Sequence, residues 1–477
     1  MSEPRPADVL AGHWRDIEVP ELGSWEPSER VSVVIDGDDP GLSGATVAGL
    51  REQSYPAELI EVIEPESSAE PSGSVVVLVA AGAVPDREFV EAHARWHHAV
   101  ADAVSFGALE PAAEEPGQAV EPLELVCDLT RDLTDPMGGH HLAGAEGSVG
   151  VRGKLLGDAG GLAESRASGG TALARLDLAH RLHCAGAVFV AEPRARASGR
   201  PIGIAAAVAA ACKDGESLEL RMPQASALVA LPPFREPGAA RRHERAALAV
   251  NVDAGDAKPD EVLATLAGVL RGHMGDIEVR VQISDSHPAH ARVAAAVAAD
   301  PRASLGGSSL VDGTDAPFQA TVPAVAIVDP RTIADLHELA LREDAGALHV
   351  TVPGMRPQEA MIEVVATAAW RRASRLAEAT GEDRAAILGR LYGERWVSGV
   401  EVSTRRHGIA EPQVTEHGPL AKATDLGHER NAHLRFRERA EDMAERAATQ
   451  AQRTLTERLR AREERKAAER IEARLGE

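Results

Sequence analysis

The chain has 477 residues, of which 44% are hydrophobic and 3% aromatic, and 51 basic residues stand against 74 acidic ones for a formal net charge of -23. This length predicts two or three domains with sizeable cores. The acidic balance argues against nucleic acid or an anionic lipid surface as the main partner of the body of the protein.

The cysteines and the N-terminus predict a cytoplasmic protein. The first residues, MSEPRPADVL, contain no apolar signal core. The longest Ala-rich apolar run, 202–212, is far shorter than the ~20 residues of a membrane span. The three cysteines lie far apart without a Cys-x-x-Cys spacing, which favours reduced core residues over disulfides or zinc ligands: Cys127, Cys184 and Cys212.

Residues 28–205 have the element order of an α/β unit. Continuous apolar runs, typical of strands buried on both faces, alternate with segments of helical periodicity. The predicted strands are 31–35, 59–63 and 75–79, and the predicted helices are 43–53 and 87–98. This order favours a mostly parallel sheet, in which ligands bind outside the carboxyl ends of the strands.

The residues at those strand ends are the first functional candidates. Asp36, Asp38 and Asp39 follow the first strand, where they could bind a metal or a ribose or simply cap the next helix. Glu64 and Glu66 follow the second strand on either side of a proline, which is typical of a solvated loop. The third strand is followed by Ala80-Ala81-Gly82, without a side-chain oxygen.

The segments VSVVI, AGLREQSYPAELIEVI and VVVLVAAGAVPDREFVEAHARWHH resemble the family 2 glycosyltransferases of the GT-A fold. In that family the third of these segments carries an Asp-x-Asp, which holds a divalent metal on the nucleotide diphosphate. Ala80 and Gly82 occupy those positions here. The family also inserts several tens of residues before this strand, whereas this chain has only the loop 65–74. The resemblance therefore implies that the metal ligands and one wall of the donor pocket are missing.

The resemblance continues through residues 128–162, which are similar to the acceptor-side segment of the family, and through 185–197, which match its next strand. Between them, the family has a carboxylate pair that supplies the general base. Aligned on Arg181-Leu182, that pair falls on Ala174 and Arg175, and a guanidinium cannot act as a base near pH 7. Asp177 is a weak substitute, because it lies roughly 200° around the helix from the expected position.

Other polar residues in this half are weaker candidates. Arg152 and Arg175 are the basic residues that could replace a metal near the donor site. The adjacent histidines point about 100° apart on a helix, so that each pair offers one ligand, and a structural role is favoured: His97-His98 and His140-His141. Ser148 is not part of a Gly-x-Ser-x-Gly motif and supports no catalytic triad.

Residues 246–400 predict a second α/β unit, with strands in 246–255, 277–281, 324–329 and 347–354 and helices at 259–272 and 332–344. The stretch is similar to a second, smaller GT-A-like half that family members of an actinobacterial type carry. Asp253 and Asp329 each end a strand and are candidate pocket residues, although an ordinary turn role is favoured. Residues 1–27 are predicted as an N-terminal extension and 206–245 and 401–428 as linkers.

Residues 429–477 contain 13 basic and 11 acidic residues and no proline, which predicts one long charged helix. Its apolar positions are too weak for a sustained coiled coil. A solvated helix packed on its own body and a partner-binding helix both remain open. The partner would be an active glycosyltransferase or another protein, and the oligomeric state is not predicted.

The sequence thus predicts an α/β fold with two GT-A-like (Rossmann-related) halves and a C-terminal helix. The resemblance implies a family 2 glycosyltransferase-like protein of a bacterial glycan or cell-envelope pathway, inactive in catalysis and serving as partner or scaffold of an active relative. An active, metal-independent inverting transferase that uses Asp36, Asp38 or Asp177 remains an alternative, as does a sugar-nucleotide sensor. We expect no cofactor, and a divalent metal only if the protein is active.

Overall fold

The computed structural model describes residues 6, 8, 14–37, 40–65, 67, 69–111, 147–162, 171–199, 246–306, 314, 316–342, 345–355, 361–399, 402 and 404–406. Within these ranges the chain forms two mixed seven-stranded sheets and one two-stranded sheet, with helices between the strands. The predicted α/β class is therefore confirmed. The predicted C-terminal helix 429–477 and the linker 206–245 lie outside the described residues.

The first sheet is built mainly from apolar strands buried on both faces. Its strands are β1 Val31–Asp36, β2 Ile60–Ile63, β3 Val75–Ala80, β4 Val84–Pro85, β5 Ala103–Pro111, β6 Val149–Arg152 and β7 Val188–Gly199. Their order is β2-β1-β3-β6-β5-β7-β4. β1 is parallel to β2 and β3, and β5 is parallel to β7, whereas β6 is antiparallel to both of its neighbours. The carboxyl ends of β1, β2 and β3 consequently meet at one edge.

Helices connect these strands. They are α1 Ser43–Leu50, α2 Phe89–Ala99, α3 Gly153–Asp158 and α4 Thr171–Cys184. α1 ends three residues earlier than predicted. Gln53, beyond its end, donates to the Gly49 carbonyl at 3.0 Å and accepts from the Val90 backbone at 3.0 Å. That glutamine joins the end of α1 to the start of α2.

The second sheet is also mixed and has seven strands. Its strands are β8 Leu248–Asp253, β9 Ile277–Gln282, β10 Ala303–Gly306, β11 Phe318–Pro323, β13 Ala347–Thr351, β14 Met361–Ala366 and β15 Glu394–Ser398. Their order is β10-β9-β8-β11-β14-β13-β15. The helices are α5 Pro259–Leu270, α6 His290–Ala298, α7 Thr332–Arg342, α8 Thr367–Thr380 and α9 Arg384–Tyr392. β12 Ala326–Val328 pairs with β16 Thr404–Arg406, which lies within the range predicted as a linker.

The two large sheets share one chain order once β4, β10 and β12 are set aside. In each, the second strand lies beside the first, the first beside the third, and the fifth, fourth and sixth follow. The fifth strand is antiparallel to its neighbours in both sheets. The halves differ between their second and third strands. Residues 283–317 include α6 and the parallel strand β10, whereas the described part of 64–74 contains no helix or strand.

The described part of the N-terminal extension packs on α2. The indole of Trp14 meets that of Trp96 edge-on, with 6.1 Å between ring centroids. The backbone N–H of Gly23 donates to the carboxylate of Glu91 at 2.6 Å. These contacts hold the described N-terminal residues against α2.

The halves touch where α8 crosses the end of α4. Arg371 donates to the Cys184 carbonyl at 3.1 Å, and the buried Arg372 guanidinium lies 3.7 Å from the buried Asp102 carboxylate. Gly186 has a φ of 82°, and a methyl group there would lie 2.7 Å from the Arg372 backbone nitrogen. A glycine is therefore required at this contact. Among the described helices, none combines the length and apolar character needed to cross a bilayer.

Candidate functional site

The carboxyl edge of the first sheet brings two of the predicted positions together. Asp36 ends β1 and is the register partner of Ala80, which ends β3. The Asp36 carbonyl accepts a hydrogen bond from the Ala81 backbone at 2.7 Å. Because parallel strands end at the same edge, the acidic turn and the vacated Asp-x-Asp position are direct neighbours. Asp38, Asp39 and Glu66 lie outside the described residues.

Arg175 reaches this edge from α4 and binds Asp36 with both arms of its guanidinium. Nε donates to Asp36 Oδ2 at 2.9 Å and Nη2 to Oδ1 at 2.6 Å, while Nη1 donates to the Gly147 carbonyl. The arginine side chain is only 1% exposed and the aspartate 26% exposed. Such a two-point pairing is the strong form of an Arg–carboxylate interaction. The position expected for a general base thus holds the cation that neutralises the candidate ligand.

The vacated triplet forms a tight turn against α1. Gly82 has a φ of 86°, and its backbone N–H donates to Thr46 Oγ1 at 3.0 Å. A methyl group on Gly82 would lie 3.3 Å from Leu42 Cβ. This turn presents backbone and methyl groups, and neither Ala80 nor Gly82 offers an oxygen ligand from a side chain. The described residues at this edge offer the Asp36 carboxylate and no second side-chain carboxylate beside it, which does not fit a divalent cation that takes several oxygen ligands.

Two further candidates, Ala174 and Asp177, lie on α4. Ala174 precedes Arg175 in α4 and is partly exposed. Asp177 lies in the same helix, but its side chain is not among those described. The structure therefore leaves the role proposed for Asp177 untested.

Arg152 lies at the opposite edge of the sheet. It pairs in register with Val75, the first residue of β3, because β6 runs antiparallel to that strand. Five residue steps of ~3.3 Å each separate Val75 from Ala80, which ends β3. Its guanidinium binds Glu29 at 2.5 Å and the His97 carbonyl at 2.9 Å. The expectation that Arg152 could replace a metal near the donor site is therefore wrong, and Arg175 is the arginine that reaches that edge.

A buried polar network lies behind the Arg175–Asp36 pair. His93 Nδ1 is 2.8 Å from Ser105 Oγ, and His93 Nε2 is 2.8 Å from Ser148 Oγ. Ser148 follows Gly147, whose carbonyl binds Arg175. Burial lowers the pKa of His93 to about 3 and that of His97 well below its ordinary value, so both rings are neutral. Sequence reasoning missed this network.

The other candidates at strand ends make local contacts with their own turns. Glu64 is exposed, and its carbonyl accepts from the Ser67 backbone at 2.9 Å. Asp253 Oδ1 accepts from the Gly255 backbone at 3.1 Å, and the Asp329 backbone N–H donates to Thr332 Oγ1 at 2.9 Å. These are contacts of turns and of a helix start. The described ranges contain no group of three or more His, Cys, Asp or Glu side chains that could hold a metal ion.

The second sheet repeats the backbone geometry of the candidate edge. Asp253 ends β8 and pairs in register with Pro323 at the end of β11, as Asp36 pairs with Ala80. The Asp253 carbonyl accepts from the Ala324 backbone at 2.8 Å, which matches the bond from Ala81 to Asp36. The third strand of this half also ends without a carboxylate. Asp253 is therefore the counterpart of Asp36.

No family model matches the sequence, and no curated protein matches it. Among solved structures, the chain is similar to the mannosyltransferase PcManGT from Pyrobaculum calidifontis, in complex with GDP-Man and Mn2+. That match has 15% identity and a TM-score of 0.29, and it covers 46% of this chain and 68% of that one. The chain is also similar to S. aureus TarS 1–349 (9% identity, TM-score 0.22, 27% and 49% covered). The glycosyltransferase GlyE of Streptococcus pneumoniae TIGR4 matches at 14% identity and a TM-score of 0.22, with 32% and 45% covered. Similarities of this size assign no function, and less than half of the last two proteins is matched.

Proposed function

We propose that the chain is a family 2 glycosyltransferase-like protein of actinobacterial type that works in a bacterial glycan or cell-envelope pathway without catalysing transfer. In this proposal it serves as partner or scaffold of an active glycosyltransferase. The resemblance of residues 31–63 and 75–98 to the family supports the assignment of the first half. The shared strand order of the two sheets supports a second, related half.

The observation that carries the proposal is the Arg175–Asp36 pair. Cleavage of a sugar–phosphate bond requires charge neutralisation on the departing diphosphate. In the family, carboxylates at the end of the third strand hold a metal ion for this purpose. Here that strand ends in Ala80, and the neighbouring carboxylate of Asp36 already has a guanidinium bound to both of its oxygens. A cation would have to displace the Arg175 guanidinium from this bidentate bond, and among the described residues it would gain the Asp36 carboxylate as its one side-chain ligand.

The second half supports the same conclusion. The counterpart of Asp36, Asp253, uses a carboxylate oxygen on the turn at Gly255, and the strand beside it ends in Pro323-Ala324. The second half has the longer segment 283–317 that the first lacks, but it also has no carboxylate at the end of its third strand. In neither half does the third strand end in the acidic pair that metal-assisted transfer uses in the family.

One observation favours the alternatives, a sugar-nucleotide sensor or a metal-independent transferase. Arg175 places a permanent positive charge at the carboxyl edge of the sheet. A guanidinium fork binds phosphate oxygens as readily as a carboxylate. A diphosphate that displaced Asp36 would find a cation already in position.

Calorimetric titration of the full chain with UDP, GDP and their common sugar conjugates tests these functions, with and without Mn²⁺ or Mg²⁺. The scaffold proposal predicts no binding heat in any combination. Metal-dependent binding in the micromolar range would contradict it. Metal-independent binding that is lost in Arg175→Gln and retained in Arg152→Gln would favour the sensor or the metal-independent enzyme. Arg152 is a suitable control because it lies at the opposite edge of the same sheet.

A further inference from the structure

The second sheet carries a patch of aromatic and acidic side chains at its β15 edge. His349 on β13 is the register partner of Glu363 on β14 and of Trp396 on β15. Glu394 lies two residues before Trp396 and therefore on the same face. Ala347, two residues before His349 on that face, is covered by α8 and α9. We call His349, Glu363, Glu394 and Trp396, which lie on this face towards the β15 edge, the acidic–aromatic patch.

Trp396 is an exposed aromatic residue in a chain that has few of them. Only five of the 477 residues are tryptophan, and the side chain of Trp396 is 54% exposed on an edge strand. Its ring lies against the imidazole of His349, with 4.7 Å between centroids and 32° between planes. An exposed indole supported from one side is the type of surface that anchors a cation or another ring.

The patch has more acceptors than donors. His349 Nδ1 is 3.8 Å from Glu363 Oε1, and Nε2 is 3.7 Å from Glu394 Oε2, both longer than hydrogen bonds. His349 is only 8% exposed, and its Nδ1 has no hydrogen-bond partner among the described residues. Within the same residues, no lysine or arginine pairs with Glu363 or Glu394. The patch therefore suits a ligand that combines a positive charge with an apolar or aromatic group.

Residues 430–439, RNAHLRFRER, have that chemistry. They contain four arginines and one glutamate, and Phe436 is the only Phe, Tyr or Trp after residue 396. The chain from 406 to 430 can span up to about 80 Å, so that this segment can reach any part of its own second half. The stretch 453–462 has the same count of arginines and one glutamate, but no aromatic residue.

We propose that residues 430–439 dock on the acidic–aromatic patch of their own chain. The arginines of this segment supply positive charges for the carboxylates of Glu363 and Glu394, and Phe436 supplies an aromatic group for the indole of Trp396. Arginine forks match carboxylates, and an aromatic pair adds contact area that an aliphatic segment lacks. This contact is independent of the proposed function, since it uses no residue of the Asp36 edge.

Photo-crosslinking in the full chain tests the proposal. p-Benzoylphenylalanine in place of Trp396 keeps a ring at the patch, and mass spectrometry identifies the peptide to which it couples. We expect coupling within one chain to residues 430–439. Arg435→Glu combined with Arg437→Glu should lower that yield about tenfold, as the loss of two partly exposed ion pairs predicts. Arg458→Glu combined with Arg460→Glu changes the charge equally in the control stretch and should leave the yield unchanged.

A charge exchange keeps the test independent of folding defects. Glu363→Arg combined with Glu394→Arg should abolish the coupling, and adding the two glutamates at 435 and 437 should restore it. In parallel, acrylamide quenching of Trp396, taken as the difference from Trp396→Phe, should rise when the two arginines are changed. Coupling to another region, coupling between two chains, or equal effects of the control pair would overturn the proposal.

Discussion

The Arg175–Asp36 pair should respond unequally to the loss of its two members. Asp36→Asn leaves a guanidinium that is 1% exposed without a counter-charge. Removing one partner of a buried ion pair costs about 3–5 kcal/mol, because an uncompensated charge stays buried. The asparagine carbonyl still accepts one hydrogen bond, so that we expect a loss near the lower end, about 3 kcal/mol in the free energy of unfolding.

Arg175→Met removes the other member. The carboxylate left behind is 26% exposed, so that water can solvate it. The expected loss is about 1–2 kcal/mol, mainly from the hydrogen bonds that are no longer made. The Gly147 carbonyl also loses the hydrogen bond that Arg175 donates to it.

Urea unfolding followed by circular dichroism measures these losses in the two single variants and the double variant. The double variant should lose less than the sum of the single variants by at least about 1 kcal/mol, because neither charge is then left alone. Equal losses in the two single variants, or a larger loss in Arg175→Met, would refute the assignment of the buried charge to Arg175. Strict additivity in the double variant would refute the pair itself.

Three further predictions follow from the same half. Burial holds the pKa of His93 at about 3 in the folded chain against 6.5 for the free side chain, so that the unfolded chain binds the extra proton first as the pH decreases. The free energy of unfolding should therefore fall between pH 6.5 and pH 3. His93→Gln should flatten that dependence in urea titrations at several pH values. A methyl group at Gly150 would lie 2.5 Å from Ser105 Oγ, so that Gly150→Ala should cost about 2–3 kcal/mol, whereas Gly157→Ala, where nothing lies within 4 Å, should stabilise α3 by up to ~1 kcal/mol in the same assay. Gly186→Ala places a side chain on a left-handed backbone and against α8, so that it should cost at least about 2 kcal/mol in the free energy of unfolding and lower the melting temperature. An unchanged melting temperature would contradict the close contact of the two halves.

Continuous apolar runs made the strands around the candidate edge predictable. β1 and β3 are buried along most of their lengths, and their β-branched residues signal that state directly. β5 was not predicted, because AVSFGALEP alternates small, polar and apolar residues without a clear period. Its burial comes from its place between β6 and β7, which only the assembled sheet defines.

The position of the candidate site could be predicted, but its chemistry could not. Parallel strand ends meet at one edge, so that Asp36 and Ala80 could be placed together from sequence. The bond from Arg175 to Asp36 joins residues on α4 and β1 that are far apart in the chain, and no local sequence pattern predicts it. Arg152 and Arg175 were equal candidates until the antiparallel direction of β6 separated them. The His93 network could not be predicted either, because His93, Ser105 and Ser148 are distant in sequence and only burial distinguishes His93 from other helical histidines.

Hydrolysis of the nucleotide-sugar donor tests the central claim most directly. Stoichiometric amounts of the full chain are incubated with UDP- and GDP-sugars and Mn²⁺, and free nucleotide is followed by chromatography over many hours. We predict release no faster than in buffer alone, with the native chain and with Asp36→Asn alike. Metal-stimulated release that the native chain supports and Asp36→Asn abolishes would contradict the account.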